Sequence, residues 1–103
     1  MKIENFDIGK DGVFIIAELS ANHNGSLDTA LETVRAAKRA GANCIKLQTY
    51  TADTITLKSN KDDFLIKNTG NEWEGKTLHE LFQGAYTPWE WHFEIIQLAK
   101  KEG

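Results

Sequence analysis

The chain has one cysteine and one proline in 103 residues, and no apolar run near the roughly 18 residues that a membrane-spanning helix needs. A single thiol, Cys44, cannot close an internal disulfide, so nothing argues for an oxidising compartment. An excess of positive charge is lacking too. Twelve Lys and Arg stand against 15 Asp and Glu, a net charge of −3, which argues against nucleic acid as a partner. Met1–Ile8 contains no signal-peptide core. There is no glycine-rich phosphate loop, no nucleophile elbow and no zinc-binding spacing. What is present, 41% hydrophobic and 26% charged residues, is the balance of a folded soluble protein of one small domain at most. The expected setting is cytoplasmic, with no membrane partner.

Ile3–Ile8 and Val13–Glu18 flank Gly9-Lys10-Asp11-Gly12, where Asp-Gly and Gly supply positive φ cheaply, and the pattern predicts a β-hairpin. The run Val13-Phe14-Ile15-Ile16-Ala17 is apolar on both faces, the mark of a strand covered on both sides. A helix is expected from about Leu27 to Ala40, where Leu27, Ala30, Leu31, Val34 and Ala37 recur at helical spacing. Ser26 suits its N-cap and Gly41 its C-terminal left-handed residue. Cys44–Tyr50 reads as the next strand, giving a βαβ unit with parallel strands. Thr51–Trp73 is a long polar excursion with a short helical piece near Asp62–Lys67. Thr77-Leu78-His79-Glu80 is a capping box before a short helix to about Gln83. Thr87-Pro88-Trp89-Glu90 is a second one, before a helix to about Glu102. Two parallel strands and a hairpin cannot bury three helices. The expectation is therefore an α/β chain forming the N-terminal portion of a (β/α)8 TIM barrel, preceded by a β-hairpin. Residues 1–103 would stop after about the second or third β/α unit, since a full barrel needs ~250 residues.

Alternate strand residues share a face, which places Lys46 and Gln48 with Cys44 and Tyr50, opposite Ile45 and Leu47. Glu18 shares its face with Phe14 and Ile16. Glu18 and Lys46 fall toward the C-terminal ends of their strands, the end that carries the active site in (β/α)8 barrels. A charge there is costly unless paired or functional. Two readings stand. In one, a carboxylate, an ammonium and an amide converge on a small polar ligand: Lys46 attracts an anion, Gln48 orients it, and Glu18 bonds a hydroxyl or moves a proton. In the other, Glu18 and Lys46 form a buried ion pair that only fixes register. Asn22-His23-Asn24-Gly25 is a polar loop at the same rim, open to a turn role or to substrate contact. His23 has no partner histidine at metal-ligand spacing. Trp89, Trp91 and His92 read as helix packing, His79 as a solvated helix residue, and Cys44 as a small hydrophobe without an activating base. Spacing alone yields a pocket for a polar anion and no reaction.

Three segments carry a resemblance. They are Phe14-Ile15-Ile16-Ala17-Glu18-Leu19-Ser20-Ala21-Asn22-His23-Asn24-Gly25, Arg39-Ala40-Gly41-Ala42-Asn43-Cys44-Ile45-Lys46-Leu47-Gln48-Thr49-Tyr50, and Ala85-Tyr86-Thr87-Pro88-Trp89-Glu90-Trp91-His92. Together they resemble the sialic acid synthase family of phosphoenolpyruvate-dependent nonulosonate synthases over nearly the whole chain. Leu19-Ser20-Ala21, Tyr50-Thr51 and Thr87–His92 are most similar to its pseudaminic-acid branch. The resemblance implies condensation of phosphoenolpyruvate with an open-chain 2,4-diacetamido-trideoxy hexose, giving a nine-carbon 2-keto sugar acid and phosphate. It implies that Lys46 anchors phosphoenolpyruvate, that Gln48 lies near the sugar and that Glu18 is an acidic residue at the reacting centre. Asn22 and His23 would lie on the rim. It also implies a divalent metal, Mn or Mg, acting as a Lewis acid on the aldehyde. The metal-binding histidines, further phosphate-binding residues and an antifreeze-like domain are expected beyond Gly103. The chain alone is accordingly expected to be inactive and to self-associate, with a homodimeric parent.

Other readings compete. One is an N-acetylneuraminate or spore-coat polysaccharide synthase of the same family. Another is a Schiff-base aldolase with Lys46 as nucleophile. A third is a non-catalytic carbohydrate-binding or scaffold protein complete at this length, its exposed strand edge and helix faces covered by self-association.

Overall fold

A computed structural model describes residues 1–103. Strands β1 (Lys2–Ile3) and β2 (Phe6–Asp7) pair antiparallel, Lys2 opposite Asp7 and Ile3 opposite Phe6. A hairpin thus precedes the parallel strands, but around a different reversal from the expected one. It turns at Glu4-Asn5, with Glu4 at φ 50°, and not at Gly9–Gly12. The Asp11 carboxylate gives the physical reason. It accepts the Asp7 N–H at 2.7 Å, while the N–H groups of Lys10 and Asp11 return to the Asp7 carbonyl at 3.0 and 2.8 Å. Asp7–Gly12 closes on itself as a local turn, and Val13 onward does not pair back onto Ile3–Ile8.

Strands β3 (Ile16–Glu18) and β4 (Cys44–Lys46) pair in parallel, with helix α1 (Leu27–Arg39) between them in sequence. The register sets Ile16 beside Cys44, Ala17 beside Ile45 and Glu18 beside Lys46. The expected βαβ unit is present, on strands shorter than the hydrophobic runs suggested. Helix α1 has the caps that its sequence specifies. Ser26 accepts the Thr29 N–H at 3.2 Å. At the other end Gly41, at φ 93°, donates to the Lys38 carbonyl, and Ala42 to that of Ala37, both at 3.0 Å. Those two bonds are the paired closure of a Schellman end.

Beyond β4 come α2 (Ala52–Ile55), a 3-10 turn at Asp62–Phe64, α3 (Leu78–Gly84), a second 3-10 turn at Trp89–Trp91, and α4 (His92–Glu102). Helix α2 was not expected, since four residues are too few to show a periodicity. The Thr77–Glu80 capping box forms: Thr77 accepts the Glu80 N–H at 3.2 Å and the Glu80 carboxylate accepts that of Thr77 at 2.8 Å. The Thr87–Glu90 box does not. Thr87 is fully buried, its hydroxyl turned to the segment after β4, and α4 starts only at His92.

Leu19, Ala30, Val34 and Ile95 form the core, with Leu27, Leu31, Ile45, Leu47, Trp91 and Leu98 packed around them. Helices α1 and α4 therefore cover one face of the β3–β4 pair, the face of Ala17 and Ile45. The opposite face is open, against the expectation of a strand covered on both sides: Ile16 is 55% exposed and Glu18 and Lys46 beside it are 55% exposed as well. The reason is that both helices that pack on the pair lie on the same side.

Candidate functional site

The parallel register brings together the two charges that the sequence placed on strand ends. Lys46 Nζ donates to Glu18 Oε1 at 2.6 Å, across neighbouring positions on the open face. Both side chains are 55% exposed, so this is a solvent-facing pair and not a buried one. The Lys46 hydrogen bond and then its charge hold the Glu18 carboxyl below its ordinary 4.5. Ser20, itself at φ 49°, adds a hydroxyl 3.4 Å from the second Glu18 oxygen. An ammonium offers three donors, so Lys46 can hold Glu18 and still bind an external anion.

Gln48 follows on the same strand line. Its main-chain N–H is accepted by Thr87 Oγ1 at 3.3 Å and its carbonyl accepts the Thr87 N–H at 2.8 Å. Burial pushes the Tyr50 phenol up, and the neighbouring Gln48 side chain offsets part of that push. That phenol donates to the Ala85 carbonyl.

The rim loop is built around His23, which is buried. His23 Nδ1 accepts the Gly25 N–H at 3.0 Å, so the proton sits on Nε2, which lies 3.0 Å from the Tyr86 carbonyl it donates to. The ring stands edge-on to Trp91, 4.9 Å between centroids. With both nitrogens engaged, this geometry gives His23 a holding role in the loop. Asn22 is exposed beside it, with its N–H and its side-chain amide both bonded to the Leu19 carbonyl at 3.1 Å. Asn22 and His23 thus sit where Leu19 leaves β3, one open to solvent and one turned inward.

Sequence reasoning missed several contacts. His79, expected to be solvated, is buried with Nε2 2.8 Å from an Asp53 oxygen. The pair joins α3 to α2, and the absence of any visible α2 is why it was missed. Thr49 Oγ1 meets His92 Nε2 at 2.6 Å. Thr87 was read as a helix cap, and no sequence signal pointed it toward Gln48. None of the surface cavities is lined by Glu18, Lys46 or Gln48. Nor do three His, Cys, Asp or Glu side chains gather as a metal site. Residues 1–103 therefore do not by themselves supply a ligand set for the divalent ion that the resemblance implies. No helix is long and apolar enough to cross a membrane.

A polar, charged strand end at the mouth of a βαβ unit is the setting in which α/β enzymes hold anionic ligands. The NeuB family matches residues 33–103, and the chain belongs to that family. It is 55% identical along its full length to the pseudaminic acid synthase of Campylobacter jejuni, covering 29% of that protein. The pseudaminic acid synthase of Helicobacter pylori is 51% identical over 87 residues, which is 84% of this chain and 25% of that protein. The N,N'-diacetyllegionaminic acid synthase of Legionella pneumophila is 40% identical over 90 residues, 87% of this chain and 25% of that protein. The chain spans less than a third of the length of these curated relatives.

Proposed function

We propose that this chain belongs to an enzyme that condenses phosphoenolpyruvate with an open-chain 2,4-diacetamido-trideoxy hexose, forming a nine-carbon 2-keto sugar acid and phosphate. Residues 1–103 would be the first units of a (β/α)8 barrel, with the Glu18–Lys46–Gln48 face turned toward its substrates. The observation that carries this reading is the 2.6 Å Lys46–Glu18 contact at the polar ends of the parallel pair, in a chain so similar to pseudaminic acid synthases.

In this reading C3 of phosphoenolpyruvate attacks the sugar aldehyde, and the aldehyde oxygen ends as a hydroxyl. Water adds to the cationic C2. The tetrahedral intermediate then breaks its C2–O bond to phosphate, leaving the 2-keto group. Lys46 binds the phosphoenolpyruvate anion with the donors that Glu18 leaves free. Glu18, kept ionised by Lys46, accepts a hydrogen bond from the attacking water and orients it. Gln48 orients the sugar, Asn22 offers an exposed amide at the rim, and His23 holds the rim loop in place. A Schiff-base role for Lys46 is less well supported, because a nucleophilic lysine needs a desolvated amine and Lys46 is paired and half exposed. A cytoplasmic setting suits the exposed, unpaired Cys44. A homodimer is part of the same proposal.

The test is phosphate release from phosphoenolpyruvate by the whole protein that carries this chain, offered the 2,4-diacetamido sugar or N-acetylmannosamine. Release with the first and little with the second supports the proposal. Preference for N-acetylmannosamine moves the protein to the N-acetylneuraminate branch, and release with neither sugar rejects the reaction.

A further inference from the structure

Gln48 lies two residues past the last paired position of β4, so its main-chain groups fall outside the parallel ladder. One residue takes both of them. Thr87 accepts the Gln48 N–H through its hydroxyl and donates its own N–H to the Gln48 carbonyl. Thr87 stands in a helix-cap sequence, Thr87-Pro88-Trp89-Glu90, yet neither the 3-10 turn nor α4 has a side-chain cap. The hydroxyl has been diverted from a helix end to the strand extension that carries Gln48. The segment around it is tied down on both sides, by the Tyr86 carbonyl on the His23 ring and by His92 on Thr49.

We infer that Thr87 is a positioning residue for Gln48. Resting on the proposed reaction, its role is to fix the main chain from which the Gln48 amide reaches the acetamido sugar. The requirement is for a hydroxyl in particular. Valine has the shape of threonine but no acceptor for the Gln48 N–H, whereas serine keeps the acceptor; the main-chain bond from residue 87 survives in both. An N–H left without its partner favours a shifted strand end, and sub-ångström errors of placement are expensive in rate. Glu18 and Lys46 are held by the β3–β4 ladder and by their own pairing, with no hydrogen bond to Thr87, so the phosphoenolpyruvate side of the site should be spared.

The test compares Thr87→Val with Thr87→Ser in the whole protein, in wild-type and Gln48→Ala backgrounds. Thr87→Val should lower kcat/KM for the sugar about tenfold with the KM for phosphoenolpyruvate unchanged, and Thr87→Ser should recover most of that loss. In the Gln48→Ala background Thr87→Val should add nothing further, because the two residues act as one unit. Unchanged sugar kinetics in Thr87→Val, or an equal loss in both backgrounds, overturns the inference. If Thr87→Val does not fold, Thr87→Ala is a second hydroxyl-free variant read the same way. If the wild-type protein releases no phosphate, the proposed reaction falls, and amide hydrogen exchange at Gln48 decides the positioning claim alone. Faster exchange in Thr87→Val than in Thr87→Ser then supports it, and equal exchange overturns it.

Discussion

Glu18 and Lys46 are exposed enough for water to screen them, so their pairing matters more for chemistry than for stability. The folded chain holds the Glu18 proton less tightly than an unfolded one, because Lys46 bonds and attracts the ionised form. Stability from the pair is therefore present above the ordinary carboxylate range and is lost as pH falls through the depressed folded value. An NMR titration of the Glu18 carboxyl should give a midpoint below 4.5, returning toward that value in Lys46→Met. An unshifted wild-type midpoint would contradict the contact. Strand alternation was enough to anticipate that Glu18 and Lys46 could meet, because a parallel pair leaves few registers that keep Ala17 and Ile45 inward. It could not anticipate Thr87 or the His79–Asp53 pair. Those contacts span 39 and 26 residues, and no local pattern reports a pairing over that separation.

Among the elements, α1 is the one whose ends are specified by single residues. Ser26→Ala removes the acceptor of the Thr29 N–H and should cost about 1 kcal/mol. Gly41→Ala meets no neighbouring atom within 4 Å, so its cost should come from backbone strain at φ 93°, about 1–2 kcal/mol. Denaturant melts of the two variants check both figures, and a neutral Gly41→Ala would show that the Schellman end is dispensable. Helix α1 was legible because its apolar stripe and both caps agree. The start of α4 misled because Thr87-Pro88 satisfies a local rule while a long-range contact claims the same hydroxyl. The hairpin misled in a similar way: Gly9–Gly12 has turn chemistry, but the Asp11 carboxylate spends it on closing Asp7–Gly12 locally.

At the scale of the whole molecule, the radius of gyration is 16.7 Å, against about 13 Å for a compact chain of this length. Ile16 on the open face of β3, Val13 and Ile15 in the segment before it, and Phe93 and Ile96 on α4 all lie exposed. The isolated 103-residue chain should therefore bind a hydrophobic dye and sediment above monomer mass; a dye-negative monomer would contradict this. Sequence pattern correctly marked Val13–Ala17 as apolar on both faces. What covers its second face is not a property of the run itself, since cover depends on elements elsewhere that pack on that side. The central claim is that the Lys46 end of the parallel pair binds the anionic substrate of a condensing enzyme. It is tested most directly by phosphate release in the whole protein with Lys46→Ala beside wild type. The account predicts release by wild type in step with the nine-carbon acid, and a loss of about 100-fold or more in the variant. Equal release by both would contradict it.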